Sequence, residues 1–296
     1  MDTGRQTFVN PEHETQFCRQ GYVVVTIKNG QLLNELETIY RAHAPAITDG
    51  LQLSLKETNS ETIMQLHRLS LQAAQPMLNS LLHRHKVIAS GYINKLPGKP
   101  NTAGLHRDPS FTNETLHHTL LFWCPLVDTN PFNGAIGIVP GSHQIWCGYK
   151  GMVYGKYDFS YQEQPIIDRY SKTIELKKGE AIIFNTALLH FSGQNQTGTD
   201  RPVYSAFLIP SEAKPLCRHL NTEKNTLDTY LATEELLLNY YRQYISQTEL
   251  PFKLLSREAF VPPVKIGLAE FEAALKATDT FTGNLLKRFR LLLSGK

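Results

Sequence analysis

The spacing of apolar residues changes character twice along the chain. Residues 21–27 (Gly21-Tyr22-Val23-Val24-Val25-Thr26-Ile27) are β-branched and aromatic, which predicts a strand. Leu32, Leu33, Leu36 and Ile39 then recur at helical spacing over residues 31–42. Asn59 or Ser60 is placed to cap a second helix carrying Ile63, Leu66 and Leu69, and Pro76 to open a third helical piece with Met77, Leu78, Leu81 and Leu82. From about Val87 to Pro210 the pattern becomes that of short strands: Val87–Asn94, Thr119–Val127, Ala135–Val139, Thr173–Leu176, Ala181–Phe184, Leu188–Ser192 and Val203–Ile209. Pro97-Gly98, Asn130-Pro131, Asn133-Gly134, Pro140-Gly141 and Lys178-Gly179 break the chain between them. Seven or eight strands at this spacing predict a β-sandwich or barrel, not a βαβ sheet. Leu227–Tyr244 and Leu268–Leu293 read as helices again.

The expected layout is one domain over residues 1–296: N-terminal helical support (1–86) packed outside the sheet, a β core (about 87–210) and a C-terminal helical extension (211–296). Cys147–Tyr170 interrupts the strands with no clear period and holds Tyr149, Tyr154, Tyr157, Phe159, Tyr161 and Tyr170. So long a structureless stretch inside a compact domain reads as a lid over a pocket. Its Lys150, Lys156 and Arg169 are candidates for meeting an acid or phosphate.

Composition narrows the class. The chain has 296 residues, 41% of them hydrophobic, enough for a substantial core. A net charge of +3 with no run of five like charges does not mark a nucleic-acid binder, and no apolar run reaches the ~18 residues of a membrane span. Residues 1–16 are polar and lack a signal-peptide core, and the four cysteines (Cys18, Cys124, Cys147, Cys217) form no Cys-x-x-Cys pair. The expectation is a cytoplasmic protein with free thiols and a small-molecule substrate.

The candidate chemistry lies in Gly104-Leu105-His106-Arg107-Asp108 and in His190. On an extended segment residues i and i+2 share a face, so His106 and Asp108 can reach one ion. His190, from a distant strand, completes two histidines and one carboxylate, a set that suits non-haem Fe(II) and leaves coordination positions open. His190 and Ser192 also share a strand face. If Leu188–Ser192 and Arg201–Ile209 form a hairpin with His190 opposite Val203, Ser192 opposes Arg201. A buried guanidinium there needs an anion, and its planar fork matches a carboxylate.

Four segments in order resemble the phytanoyl-CoA dioxygenase family of Fe(II)- and 2-oxoglutarate-dependent oxygenases. They are Phe17-Cys18-Arg19-Gln20-Gly21-Tyr22-Val23-Val24, Leu105-His106-Arg107-Asp108, Asn133-Gly134-Ala135-Ile136-Gly137-Ile138-Val139-Pro140-Gly141-Ser142-His143, and His190-Phe191-Ser192-Gly193-Gln194-Asn195 running on to Arg201. The resemblance spans about residues 15–210 and implies a mainly β fold, a double-stranded β-helix (jelly-roll, cupin-like) core with flanking helices. It implies His106, Asp108 and His190 as iron ligands, and Arg201 with Ser192 as the anchor of the distal carboxylate of 2-oxoglutarate. It also places Trp123 against that co-substrate, with Asn94 bordering the pocket. The implied reaction consumes O₂ and 2-oxoglutarate, releases succinate and CO₂, and hydroxylates a C–H bond. Related halogenases replace the carboxylate ligand with a small residue, so Asp108 favours hydroxylation.

The other histidines read as structural: His117 and His118 face opposite sides of any strand, His83 and His85 close a helix, and His13, His43, His67 and His219 lack spacing partners. His143, in the Pro-Gly-Ser-His turn, is left open. Two further readings keep the fold: a zinc or manganese cupin-type isomerase or hydrolase, and a catalytically silent jelly-roll binding protein. Arg201 beside Ser192 speaks against the first, and an intact triad against the second.

Overall fold

Asn10 turns its side-chain oxygen onto the N–H groups of Glu12 and His13 and so starts helix α1 (Pro11–Gln20), which the apolar pattern did not announce. The helix ends at Gly21, whose φ of 83° reverses the chain into strand β1 (Tyr22–Thr26). The computed structural model describes residues 5–43, 50–57, 59–98, 100–145, 152, 163–262 and 266–279. After β1 come α2 (Gly30–His43), β2 (Leu51–Leu53), α3 (Ser54–Glu57) and α4 (Ser60–Leu81), the last capped by Asn59 Oδ1 on the Thr62 N–H at 2.9 Å. Helix α4 runs straight through Pro76, where a new helix was expected. Pro76 and Gln72 are both exposed, so the carbonyl that loses its helical donor faces water and the break is cheap. His83 and His85 lie beyond this helix, and His85 opens the next strand.

The central strands are β3 (His85–Lys95), β4 (Ala103–His106), β5 (Leu120–Pro125), β6 (Ile136–Ile138), β7 (Lys172–Ile174), β8 (Glu180–Asn185), β9 (His190–Ser192) and β10 (Arg201–Pro210), with α5 (Glu163–Tyr170) ahead of β7. They form two antiparallel sheets, ordered β1-β8-β5-β10-β3-β2 and β4-β9-β6-β7. This is the expected jelly roll, with one amendment: the N-terminal segment supplies strands β1 and β2 of the larger sheet as well as helices.

Three apolar layers hold it together. Tyr22, Leu121, Trp123, Ile182, Phe184 and Val203 of the larger sheet meet Ile136, Ile138 and Ile174 of the smaller one and fill the interior of the roll. The outer face of the larger sheet (Phe122, Tyr204, Ala206, Leu208) packs on Leu32, Leu36, Ile63, Leu66 and Leu78 of α2 and α4, as expected of helices outside the sheet. Behind the smaller sheet, Leu105, Val139 and Leu189 pack on Ile166 of α5 and on Phe271 of a C-terminal helix.

The C-terminal segment is not helical throughout. It forms a third sheet from β11 (Leu216–Asn221), β12 (Thr226–Leu231) and, after helix α6 (Glu234–Asn239) and the π-turn Tyr240–Tyr244, β13 (Leu254–Ala259). Leu227–Leu231, expected as the start of a helix, belongs to strand β12 because its inward positions alternate: Asp228 and Tyr230 are buried, and Arg257 of β13 pairs the Asp228 carboxylate at 2.7 Å. Helix begins only at Thr233, whose hydroxyl accepts from the Leu236 N–H. The last described element is α7 (Leu268–Asp279), and the remainder of the helix expected to Leu293 lies outside the described residues. Of the expected lid, Met152 and α5 are described, while residues 146–151 and 153–162 are not. Tyr170 packs its ring 6.1 Å from that of Phe271, and Arg169 pairs with Glu272 at 3.2 Å, so both are engaged with α7.

Candidate metal and diacid site

Strand pairing builds the triad. His106 of β4 stands directly opposite His190 of β9, and their ring centroids are 4.2 Å apart. A register shift between Ala103 and His106 marks a local bulge on β4, a common device for re-aiming a side chain. Asp108 lies two residues further on, held by its N–H on the Thr186 carbonyl at 3.0 Å. Leu105 and Leu189, chain neighbours of the two histidines, point the opposite way into the apolar layer under α7. Alternation then forces both imidazoles inward.

The ligand atoms of His106, Asp108 and His190 all lie within 4.8 Å of one another. Asp108 Oδ2 is 3.4 Å from His190 Nε2, and Asp108 Oδ1 is 3.9 Å from His106 Nε2. Each ring spends its Nδ1–H on a carbonyl two residues back, His106 on Gly104 at 2.7 Å and His190 on Leu188 at 2.9 Å. This fixes the tautomer and aims each Nε2 lone pair at the common centre. Asp108 Oδ2 is buried and accepts no hydrogen bond. Two nitrogen lone pairs and an unsatisfied carboxylate converging without a proton between them fit a divalent cation, and this mixed donor set with an open side fits Fe(II). His190 and Asp108 are largely covered, while His106 keeps a third of its side chain exposed, so the site opens on the His106 side.

Arg201 opens β10 and Ser192 ends β9, but the two strands are not a hairpin. Arg201 pairs with Lys95 in the larger sheet, and Ser192 with Ala103 and Ile136 in the smaller one. The expected register is therefore corrected: β9 and β10, though consecutive in the chain, lie in opposite sheets. What joins the two residues is Lys95, which faces the interior beside Arg201 and donates from Nζ to the Ser192 carbonyl at 3.0 Å and to the Gly193 carbonyl.

Arg201 is fully buried, and its Nε and Nη1 have no hydrogen-bond partner. Its guanidinium lies 5.2 Å from the Trp123 ring centroid, which places Trp123 beside Arg201. Burial alone pulls Arg201 down to about 9, and burial together with the Arg201 charge pulls Lys95 down to about 7. Among the described residues no carboxylate pairs with either cation.

Asn94 is not brought to this pocket. Its side chain points to the helix face of the sheet, where its amide donates to Tyr40 Oη at 2.7 Å and to Gln52 Oε1 at 3.1 Å. The inward neighbour on β3 is Lys95. Its signal in the sequence was a lysine two residues after Ile93, on the interior side of an otherwise apolar strand. Tyr241 is the other addition: the π-turn of the C-terminal segment sets its phenol near Asp108, and burial with the Asp108 and Cys217 charges pushes it up to about 12. Its position had no local signal. His143 is buried beneath Gly21 and donates from Nε2 to the Cys18 carbonyl at 3.3 Å, tying the glycine-rich turn to the end of α1.

Residues 36–203 match the sequence model of the family described as phytanoyl-CoA dioxygenase (PhyH). A phytanoyl-CoA dioxygenase of Arabidopsis thaliana is 28% identical over 143 residues, 46% of this chain and 49% of that protein. Phytanoyl-CoA dioxygenase domain-containing protein 1 of Danio rerio is 26% identical over 187 residues, 56% of this chain and 62% of that protein. The matched stretch thus spans about half to three-fifths of these relatives. Among solved structures, the epimerase SnoN in complex with Fe3+, alpha ketoglutarate and nogalamycin RO superposes with a TM-score of 0.50 at 19% identity, over 69% of this chain and 84% of that one, a likeness of fold. The family match covers more than half of the chain and contains His106, Asp108, His190 and Arg201 at the positions where the strands converge, so this protein belongs to the phytanoyl-CoA dioxygenase family.

Proposed function

We propose that this protein is an Fe(II)- and 2-oxoglutarate-dependent dioxygenase that hydroxylates a C–H bond of a small or lipid-like molecule. The observation that carries the reading is the pairing of two features in one roll: a converging His–Asp–His set whose Asp108 Oδ2 accepts no hydrogen bond, and a buried Arg201 whose Nε and Nη1 meet no acid among the described residues. Membership in the phytanoyl-CoA dioxygenase family supports it. The relative SnoN, named as an epimerase with Fe3+ and alpha ketoglutarate, shows that the same fold accommodates that pair of cofactors.

In this reading His106, Asp108 and His190 hold the iron. Arg201 receives the distal carboxylate of 2-oxoglutarate, with the Ser192 hydroxyl as a second donor and the Trp123 ring as a wall. Bound iron supplies the oxidation itself: 2-oxoglutarate, O₂ and a C–H bond give succinate, CO₂ and an alcohol. The chain's share is placement and dryness. The apolar interior around Ile136, Ile138 and Val203 keeps water from the charged groups, which strengthens each of their interactions. The more open His106 side faces the substrate, and Asp108 keeps its carboxylate in the ligand set instead of freeing a place for halide.

Anaerobic addition of Fe(II) and 2-oxoglutarate tests the reading. A weak visible charge-transfer band, followed on admitting O₂ by succinate in equal amount to CO₂, is the expected result. A panel of small molecules that accelerates succinate release identifies the substrate class. Incorporation of ¹⁸O from ¹⁸O₂ into the product separates hydroxylation from epimerisation. No band and no succinate would return the protein to the zinc-type or silent-scaffold readings.

A further inference from the structure

Lys95 is among the most deeply buried side chains of the molecule, yet it is a lysine. It and Arg201 are directly paired residues of adjacent antiparallel strands, so their side chains leave the sheet on the same face. Two cations side by side in a dry interior repel each other, and each is expensive to bury alone. Two backbone carbonyls, those of Ser192 and Gly193, receive Lys95 Nζ. Gly134 closes over it so tightly that a Cβ there would stand 3.0 Å from Lys95 Cδ and 3.3 Å from Nζ. The groups facing the ammonium are therefore Arg201 from β10, the Ser192 and Gly193 carbonyls at the end of β9, and the Gly134 backbone of the turn before β6. Carbonyl dipoles steady an ammonium but do not cancel the charge of the guanidinium beside it. The missing element is an anion, and the anion must carry its charge on the Arg201 side.

Resting on the function proposed above, we propose that Lys95 is the second cation of the diacid pocket: with Arg201 it receives the distal carboxylate of 2-oxoglutarate and makes the site select a diacid over a keto acid that lacks that carboxylate. Lys95 is a positioning residue by the same contacts, since its ammonium ties that carboxylate to Ser192, two residues from the ligand His190. A purely structural role, pinning the Gly134 and Gly193 turns together, is the competing account.

The two accounts differ in what happens to ligand discrimination. The full chain loaded with Zn(II), which is redox-silent, is titrated calorimetrically with 2-oxoglutarate and with 2-oxovalerate, a keto acid of the same length without the distal charge. Wild type should prefer the diacid. Lys95→Gln removes the charge while keeping an N–H for the carbonyls, and should weaken 2-oxoglutarate on the order of 10- to 100-fold, as for loss of one charged hydrogen bond. The same change should leave 2-oxovalerate within about twofold, and Lys95→Arg should restore most of the preference. Equal losses for both acids, or no loss for either, would overturn the proposal. Should Lys95→Gln not fold, wild type alone decides. Lys95 is held down to about 7, so at pH 8 it is mostly neutral until a carboxylate arrives. Binding of 2-oxoglutarate, measured in two buffers of different ionisation heat, should then take up close to one proton more than binding of 2-oxovalerate. No difference in uptake would refute it. If wild type binds neither acid, the dioxygenase reading itself fails. If wild type prefers the diacid and Lys95→Gln matches it, only the role of Lys95 falls.

Discussion

Replacing Arg201 with methionine should make the ligand-free protein more stable while abolishing its response to 2-oxoglutarate. Burial lowers the guanidinium from its ordinary value to about 9. Because the folded value lies below the unfolded one, the folded state holds this proton less firmly, and below about pH 9 the whole cost is present. At ~1.4 kcal/mol for each factor of ten, that cost is about 5 kcal/mol. The Trp123 ring at 5.2 Å returns about 0.5–2 kcal/mol of it. Methionine fills much of the same volume without a charge, and exchanging a buried ion for a packed apolar side chain typically stabilises by about 1–4 kcal/mol or is neutral. Urea unfolding of the Zn(II)-loaded chain at pH 7 measures this directly, as a midpoint shift at unchanged slope. Adding 2-oxoglutarate at a hundred times its dissociation constant should raise wild-type stability by about 2.7 kcal/mol and leave Arg201→Met where it was. A variant destabilised by more than about 1 kcal/mol in the absence of ligand would contradict the argument. Arg201 would then be a strut of the fold and not a cation waiting for an acid.

Asp108→Ala and His106→Ala should each lose stoichiometric metal and succinate formation while unfolding at nearly the wild-type temperature, because the ligand set lies outside the apolar layers. Succinate formation retained by Asp108→Ala would remove that residue from the triad. Gly21→Ala meets both a φ of 83° and a Cβ position 2.5 Å from His143 Nδ1 and 3.0 Å from Leu188 Cδ1, and should cost about 2–4 kcal/mol in urea unfolding. A loss below about 0.5 kcal/mol would show that the α1 turn is looser than this packing requires. His85 is held down to about 4 by burial, against 6.5 unfolded. The unfolded chain therefore binds the extra proton first, and stability complete above pH 6.5 falls as pH drops toward 4, by ~3 kcal/mol at the acid end. His85→Gln should flatten that part of the pH–stability curve, and an unaltered slope would place the acid sensitivity elsewhere.

The candidate metal ligands were legible because their geometry is local. His106 and Asp108 are two residues apart on extended chain, and only the meeting with His190 depends on the fold. The proposed anion pocket was legible in its residue types but not in its phase. Asn94 and Lys95 differ by one position, and one position decides which face of a strand a side chain takes. In a sheet open to water on one side, polarity would reveal the phase. Here the larger sheet is covered on both sides, by helices outside and by the smaller sheet inside, and most of β3 from Ala89 to Lys95 is buried. Alternation of polarity disappears, and with it the signal that distinguishes the two faces.

The same double coverage accounts for the misplaced hairpin. β8, β9 and β10 follow one another in the chain but alternate between sheets, so Ser192 and Arg201 are linked across the roll through Lys95 and not along a ladder. Turn residues between β9 and β10 state that the chain reverses, not which sheet it returns to. Side-chain charge carries the information that periodicity loses. A lysine and an arginine at paired interior positions, with no acid among the described residues to neutralise them, make little sense as packing and full sense as a receptor for an anion. Where both faces of a sheet are buried, an uncompensated charge is thus a better guide to the functional face than the apolar pattern, since burial cost is tolerated only where a ligand removes it. By that criterion the functional face of the larger sheet is the one bearing Lys95, Arg201 and Trp123, and the face of Asn94, which carries no charge and whose amide NH₂ donates to Tyr40 and Gln52, is scaffold.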